Sequence, residues 1–578
     1  MKRKYCGDIT EKLIGKKVYL YGWIKEIKNF GHFIFMNIED IRGNVQIIIK
    51  KKSKVEFSKI NKIKNGFCVK VLGIVKKRNK KNINSKIKNG NIEIYVNKIK
   101  IFSKSKNIPI DLLKKNSEKN RLKYRYLDLR TKEMHNNLIL RSKVIFFIHK
   151  FMQKKKFVYV ETPILTKSTP EGARDYVVPS RKHHGEFYAL PQSPQLFKQL
   201  LMISKLDKYY QIAKCFRDED SRSNRQPEFT QIDIEASFIN ENEIMYIIEK
   251  LIYKIWKKFR KIELKKFPTI TYKKSIKKYG TETPDIRNPL KIINFSDFFK
   301  KNNIIHNNEK ILGIHISSKN RPILNNIKCY KKIATRNGIK KIYFIKLSKK
   351  NINNCEFNKI NIFSKKIFKK IIKKFNFSKN DTLIISNSNN KNIYKTLGII
   401  LKKIAIDLNL INKNSYSPIW ITDFPTFKKD KNGNISSTHH PFTSPKNINK
   451  KNMKKSTIKS SKSKSYDLVI NGKEIGGGSI RIHNIKLQKL IFKILNLSKK
   501  TQKEKFGFFI NALKYGPPPH AGIALGLDRI IMLLINDTNI KNVIAFPKTT
   551  NATCLMTNSP SKLENYILKN LNIKIKNI

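Results

Sequence analysis

At 578 residues the chain exceeds what one hydrophobic core organises, so three or four domains are expected. Its hydrophobic content of 40% excludes a disordered chain. Lys and Arg number 122 against 41 Asp and Glu, a net charge of +81 that attracts polyanions and permits a nucleic-acid partner. The excess is mostly Lys, in company with Asn and Ile. All three have A/T-rich codons, so base composition accounts for most of the charge. Six scattered cysteines (Cys6, Cys68, Cys215, Cys329, Cys355, Cys554) include no C-x-x-C pair. That argues against a disulfide framework and a zinc site, and for reduced thiols in a cytoplasmic protein. The N-terminus lacks the apolar core of a signal peptide, and no apolar run approaches the ~20 residues of a membrane span.

Segments 18–24, 32–38, 45–49, 68–75 and 92–102 are β-rich and bounded by Gly, Asn or Lys clusters. Five such strands within residues 1–105 predict a small barrel of the oligonucleotide-binding type, an OB-fold. Residues 106–135 read as a hinge. Helical apolar spacing appears over 136–154 and again over 241–259; between them, 157–238 reads as strands and loops. Residues 288–415 are Lys/Asn/Ile-rich, with strands expected at 342–347 and 382–385 and helices at 364–375 and 393–408. They read as an α+β insertion that separates residues 136–287 from 416–578. The tract 446–465 is expected to be a mobile loop. The fold class is multidomain α+β.

Three separated segments carry chemistry. Val160-Glu161-Thr162-Pro163 follows the first long helix; alone, its proline reads as a strand terminator. Cys215-Phe216-Arg217-Asp218-Glu219 and Gln226-Pro227-Glu228-Phe229-Thr230-Gln231-Ile232-Asp233 flank a polar turn, as in a hairpin. Alternation puts Arg217 and Glu219 on one face, and Gln231 and Asp233 on one face of the returning strand. So many polar groups facing one way are costly to bury without a ligand. Finally, Ala521-Gly522-Ile523-Ala524-Leu525-Gly526-Leu527-Asp528-Arg529 runs into an apolar helix. Small residues there allow close strand–helix packing, but an Arg at the junction suits a phosphate, whose oxygens its planar fork binds in pairs.

In order, these segments resemble the three signature motifs of the class II aminoacyl-tRNA synthetases. Several further segments look like the bacterial-type aspartyl enzymes: Thr169-Pro170-Glu171-Gly172, Gln192-Ser193-Pro194-Gln195-Leu196-Phe197-Lys198, His439-His440-Pro441-Phe442, Tyr466-Asp467-Leu468, Glu474-Ile475-Gly476-Gly477-Gly478-Ser479-Ile480-Arg481 and Pro519-His520-Ala521-Gly522. The resemblance covers nearly the whole chain and weakens in the insertion and at the C-terminus. It implies an anticodon-binding barrel at 1–105, a hinge at 106–135, a class II antiparallel-sheet catalytic domain in two parts (136–287 and 416–578) and the insertion at 288–415. The activity implied is ATP-dependent, AMP-forming attachment of L-aspartate to tRNA through aspartyl-adenylate, transferred to the 3′-hydroxyl.

The resemblance also implies roles. Arg481 and Lys198 would hold the side-chain carboxylate of aspartate, and Glu171, Gln195 and Asp233 would take its ammonium, with His439 lining the pocket and His440 supporting it. Arg217, shared between both ligands, would sit on the α-phosphate of ATP and Arg529 on the γ-phosphate; these two are the catalytic candidates. Glu219 and Gln226 would face the adenine side and Asp218 would also bind ATP, with Phe229 stacking and Gly526, Leu527 and Asp528 as floor. Asp467 and Glu474 would bind Mg²⁺, with Glu474 also touching ATP. In the barrel, Phe35 would stack on an anticodon base, Gln46 and Glu93 would read base edges and Lys28 would contact the anticodon. Phe35 equally reads as barrel core.

Two departures stand out. Lys28 occupies a place where the family has Arg, and Gly516-Pro517-Pro518-Pro519 has one proline beyond the usual pair. Three rivals remain at this stage: an enzyme that also aspartylates asparagine tRNA, decided by barrel residues including the stretch 30–32; a non-catalytic RNA-binding relative; and a generic basic protein. The expected partners are tRNA(Asp), with tRNA(Asn) left open, L-aspartate and a second copy in a homodimer.

Overall fold

The computed structural model describes residues 2–50, 60, 62–84, 89–114, 116–169, 172–219, 224–300, 310–318, 326–339, 341–347, 365–378, 380–390, 392–430, 432–448 and 453–576. Glu171 and Cys355 lie outside them; the other five cysteines are free thiols. The chain divides into two compact units, Met1–Lys132 and Glu133–Ile578.

The first unit is a barrel of strands Lys17–Asn29, Phe33–Asp40, Gly43–Lys50, Cys68–Lys77 and Ile92–Ser103. The first strand pairs with both the second and the fourth, which closes the sheet and removes its free edges. Strict alternation sends Ile34, Met36 and Ile38 into a core shared with Val18, Leu20, Ile47, Val71 and Ile94. Phe33 and Phe35 take the opposite face, so Phe35 is not a core residue. Where a hinge was expected, helices Glu118–Lys123 and Arg125–Asp128 form, tied by a buried Arg125–Asp128 contact of 2.5 Å.

The second unit is built on an eight-stranded sheet. Its spatial order is Thr269–Thr271, Pro418–Thr422, Ser465–Ile470, Lys473–Ile480, His520–Gly526, Glu228–Ser237, Lys208–Phe216 and Val158–Tyr159. All pairings are antiparallel except those of the two outermost strands. One face packs on helices Lys132–Lys154, Glu241–Arg260 and Leu527–Leu534 through Ile148, Ile248, Trp256, Ile232, Ile234, Ile523 and Ile531. The Asn240/Glu243 capping box fixes the start of the second helix. Pleat alternation turns Gln231, Asp233 and Glu235 to the other face.

Two expectations are corrected. Within 157–238 a helix, Gln195–Ile203, forms over that second face. Leu196, Leu200 and Ile203 recur at helical spacing and pack on Phe442, Phe492, Phe506 and Phe509. Within 446–465 the described part contains helix Lys455–Ser460, pinned by fully buried Ile458 against Ile482, Leu487 and Ile491, and Ser465 begins a strand; residues 449–452 lie outside the described ones.

The insertion forms its own antiparallel sheet, ordered Ile292–Asn294, Lys310–Ile316, Thr382–Ser388, Ile342–Lys346. Helices Ile327–Arg336 and Ile393–Asp407 pack on one side of it; Phe295, Phe299 and Ile371 cover the other.

Candidate active site

On the second face of the large sheet lies a cleft of about 410 Å³. Three strands supply its floor. Gln231 comes from Glu228–Ser237, Ala524 and Gly526 from His520–Gly526, and Glu474 to Gly478 from Lys473–Ile480. Lys198 and Gln195 reach it from helix Gln195–Ile203.

The deep end is charged and fully packed. Arg481 is 2% exposed, with Nε donating to Glu235 Oε1 at 2.8 Å and Nη2 to Glu235 Oε2 at 3.0 Å. Its Nη1 donates to His440 Nε2 at 2.6 Å and to Ser479 Oγ at 2.7 Å. Lys198 is 1% exposed, bonded to Asp233 and 3.4 Å from Glu235. Two cations and two carboxylates therefore compensate each other, as buried charges must. Burial alone would raise Glu235, but Arg481 and Lys198 prevail and hold it at about 2. Burial pushes Asp233 upward against the pull of Lys198. His439 is lowered to about 4 by burial, with Arg481 and Lys428 adding, and His440 is pushed well below the usual imidazole range for the same first reason.

Two glycines are required by this packing. A Cβ on Gly522 would stand 1.8 Å from Glu235 Oε2, and one on Gly477 would stand 2.6 Å from Asp467 Oδ1. The small residues of the third motif thus make room for a carboxylate as well as for backbone.

The outer end is open. Arg217 is half-buried just beyond strand Lys208–Phe216, its guanidinium 5.0 Å above the Phe229 ring. Arg529 reaches the cleft from the first turn of helix Leu527–Leu534; its Nη1 donates to the Glu474 carbonyl at 2.7 Å and lies 3.6 Å from Glu474 Oε2. Glu219 is exposed and pairs with Arg225 at 2.7 Å. His439 Nε2 is 3.7 Å from Asp467 Oδ1. Burial, then Glu474 and Glu282, raise Asp467 well above the usual carboxylate range. Among the described residues no group of three or more His, Cys, Asp or Glu gathers as a complete metal shell.

The structure brings most sequence candidates together. Gln195, Lys198, Arg217, Glu219, Gln226, Phe229, His439, Glu474, Arg481, Gly526, Asp528 and Arg529 all line the cleft. Several sit differently from expectation. The Leu527 side chain is fully buried in the apolar core and forms no floor. Asp218 lies 3.5 Å from Arg174 and does not line the cleft. The Gln226 amide is engaged at both ends by the Lys548 backbone, at 3.1 and 2.7 Å. Asp233 works from behind the cleft through Lys198. Glu235 was missed, although it continues the Gln231, Asp233 alternation by two residues.

In the barrel, Phe35 is half-buried, with exposed Phe30 5.6 Å and Phe33 6.5 Å away, a contiguous aromatic surface. Gln46 Nε2 donates to Glu93 at 3.3 Å, and Glu93 is 8% exposed and 3.8 Å from Arg78, so the pair is largely occupied within the barrel. Lys28 is exposed beside Glu26 at 3.3 Å.

Residues 117–550, which hold this cleft, match a known family model described as tRNA synthetases class II (D, K and N). A second, described as the OB-fold nucleic acid binding domain, matches residues 18–102. The chain belongs to the class II tRNA synthetases. Among its relatives, the aspartate–tRNA ligase of Buchnera aphidicola subsp. Acyrthosiphon pisum (strain Tuc7) is 50% identical over 99% of both chains. That of Buchnera aphidicola subsp. Schizaphis graminum (strain Sg) is 49% identical over the whole of both. Two solved structures share the fold. One is asparaginyl-tRNA synthetase from Pyrococcus horikoshii complexed with asparaginyl-adenylate, with TM-score 0.58 and 19% identity over 95% of this chain and 98% of that one. The other is aspartyl tRNA synthetase from Entamoeba histolytica, with TM-score 0.58 and 18% identity over 95% and 91%.

Proposed function

We propose that this chain is an aspartate–tRNA ligase, which activates L-aspartate with ATP and transfers it to tRNA(Asp). The observation that carries the reading is the pair of buried cations, Lys198 and Arg481, at the closed end of a cleft whose open end holds Arg217 and Arg529. The closed end suits a small acidic side chain. Lys and Arg present only N–H donors, so an asparagine amide would set its own NH₂ against them. The open end suits a triphosphate, and Phe229 offers a face for adenine.

In the first step an α-carboxylate oxygen of aspartate attacks the α-phosphorus, a P–O bond forms, and the bond to the leaving pyrophosphate breaks. The nucleophile is already ionised, so no base is needed; catalysis is alignment plus charge stabilisation. Arg217 stabilises charge on the α-phosphate and Arg529 the γ-phosphate. In the second step the tRNA 3′-hydroxyl attacks the mixed anhydride and AMP leaves. Asp467 Oδ1 is buried without a hydrogen-bond partner, and burial first, then Glu474, raise this carboxyl, so the two carboxylates fit a hard cation completed by phosphate oxygens. Mg²⁺ held there would neutralise phosphate charge.

We further assign residues 1–105 to anticodon binding through Phe35 and Lys28, with Gln46 and Glu93 at the same surface, 106–135 to the hinge, and 136–287 with 416–578 to catalysis around the 288–415 insertion. A homodimer working in the cytoplasm completes the reading. No described helix is long and apolar enough to cross a membrane. The test is charging of separate aspartate and asparagine tRNA transcripts with labelled aspartate, alongside pyrophosphate exchange. Charging of the aspartate tRNA alone is expected; charging of both would widen the substrate range. Aspartate-independent exchange, or none from folded protein, sinks the proposal.

A further inference from the structure

We propose that Arg141 is a positioning residue for the ATP half of the cleft, an inference that rests on the synthetase reading above. Arg141 sits on helix Lys132–Lys154, on the core side of the sheet, and its side chain is 17% exposed. From there it reaches three elements at once. Nη1 donates to Asp528 Oδ1 at 2.5 Å and to the Val543 carbonyl at 3.2 Å, and Nη2 donates to Thr230 Oγ1 at 3.0 Å. The same Asp528 carboxylate accepts the Thr230 backbone N–H on its other oxygen, at 2.8 Å. The result is a closed ring of contacts among a helix, a strand and a helix N-terminus.

Each member stands next to a group that faces ATP. Thr230 follows Phe229, the ring beneath Arg217. Asp528 precedes Arg529, which bonds Glu474. Val543 closes the short turn Ile540–Asn542, and Ile540 lines the cleft. One helical turn before Arg141, Asn137 Nδ2 donates to the Asn542 carbonyl at 3.1 Å, so the helix holds this turn twice. Guanidinium geometry matters here: the planar fork holds Asp528 and Thr230 with two different nitrogens, whereas an ammonium offers a single one without fixed orientation. None of these contacts touches Lys198, Arg481, Asp233 or Glu235, whose partners are one another, His440 and Ser479. Arg141 should therefore set the geometry of the nucleotide end and leave the amino-acid end alone. Placement errors well under a bond length are enough to slow an in-line displacement by orders of magnitude.

The experiment is aspartate-dependent pyrophosphate exchange on the full chain, with KM measured separately for ATP and aspartate, in wild type, Arg141→Met, Arg141→Lys and Thr230→Val. Arg141→Met should raise KM for ATP about tenfold or more and lower kcat about a hundredfold, with KM for aspartate within about twofold. Arg141→Lys should recover part of that loss. Thr230→Val, which removes one hydroxyl and keeps the Asp528 contact, should raise KM for ATP a few-fold; it reads the ring even where Arg141→Met does not fold. Equal rises in both KM values, or unchanged kinetics with only a lower Tm, would overturn the inference while leaving the synthetase reading intact. A wild-type chain without aspartate-dependent exchange would overturn that reading, and this inference with it.

Discussion

The two ends of the cleft are built by opposite means. At the closed end every cation has a protein partner: Arg481 is gripped by Glu235 through two parallel bonds, and Lys198 is shared by Asp233 and Glu235. At the open end Arg217 lies over a ring and Arg529 meets a half-exposed carboxylate at 3.6 Å. The closed end is rigid because removing any member strands a buried charge. On the proposed function, selection of the amino acid would fall to the closed end and charge stabilisation at phosphorus to the open one, and mutations should separate them.

Glu235→Gln should break the comparison most severely. It removes the counter-charge of Arg481 and one of the two carboxylates beside Lys198, in a fully buried site. A loss of about 10³ in kcat/KM for aspartate is expected, with stability down by about 3–5 kcal/mol. Exchange kinetics together with a denaturant titration would check it; a stable, active variant would mean that the two cations are compensated some other way. Next in size, Arg217→Ala should lower kcat for exchange by about 10² while Tm stays near wild type, because a half-exposed arginine carries little stability. A parallel fall in Tm would erase the contrast between the ends.

The buried end should also show in the pH dependence of stability. His439 is held at about 4 in the folded chain against an ordinary value near 6.5. A depressed folded value means that, as pH falls below about 6.5, the unfolded chain takes up a proton the folded ring refuses. Stability is therefore lost progressively from about pH 6.5 down to about 4, by about 3 kcal/mol for this residue. Unfolding midpoints of His439→Asn should fall less steeply than wild type across that window, and identical slopes would contradict the burial argument.

How much of this was readable beforehand depends on where the partner of each residue lies. The barrel strands and the 241–260 helix follow from local periodicity, and the arginines of the second and third motifs stand out because a guanidinium at a strand end suits a phosphate and shares its face with other polar groups. Glu235 was legible in principle, two residues on from Asp233 on the same strand face. Arg141 was not: its partner Asp528 is 387 residues away, and on its own helix it reads as one more solvated cation. Helix Lys455–Ser460 was hidden for a different reason. Its Lys/Ser composition looks like linker, and its buried residue is Ile458, whose burial depends on Ile482 and Ile491 from other elements. Leu527 shows the reverse error, a residue taken for the site because its neighbours belong there, although helix geometry turns it into the core.

The barrel offers the smallest effect and a contrast with both ends of the cleft. Its aromatic surface combines Phe33 and Phe35, placed by alternation on one strand, with Phe30 of the preceding turn. Stacking on a base is worth about 1–3 kcal/mol, so Phe35→Ala should weaken tRNA binding about tenfold. Since exchange of pyrophosphate needs only ATP and aspartate, that variant should leave exchange untouched and raise KM for tRNA alone. Lys28→Arg, which adds a planar fork to the same exposed surface, should act in the opposite direction if Lys28 touches the anticodon, lowering KM for tRNA a few-fold. Filter binding and charging kinetics on aspartate tRNA measure both. Should Phe35→Ala depress exchange as well, the aromatic face would be acting on the catalytic unit, and the barrel could no longer be treated as a reader independent of the chemistry.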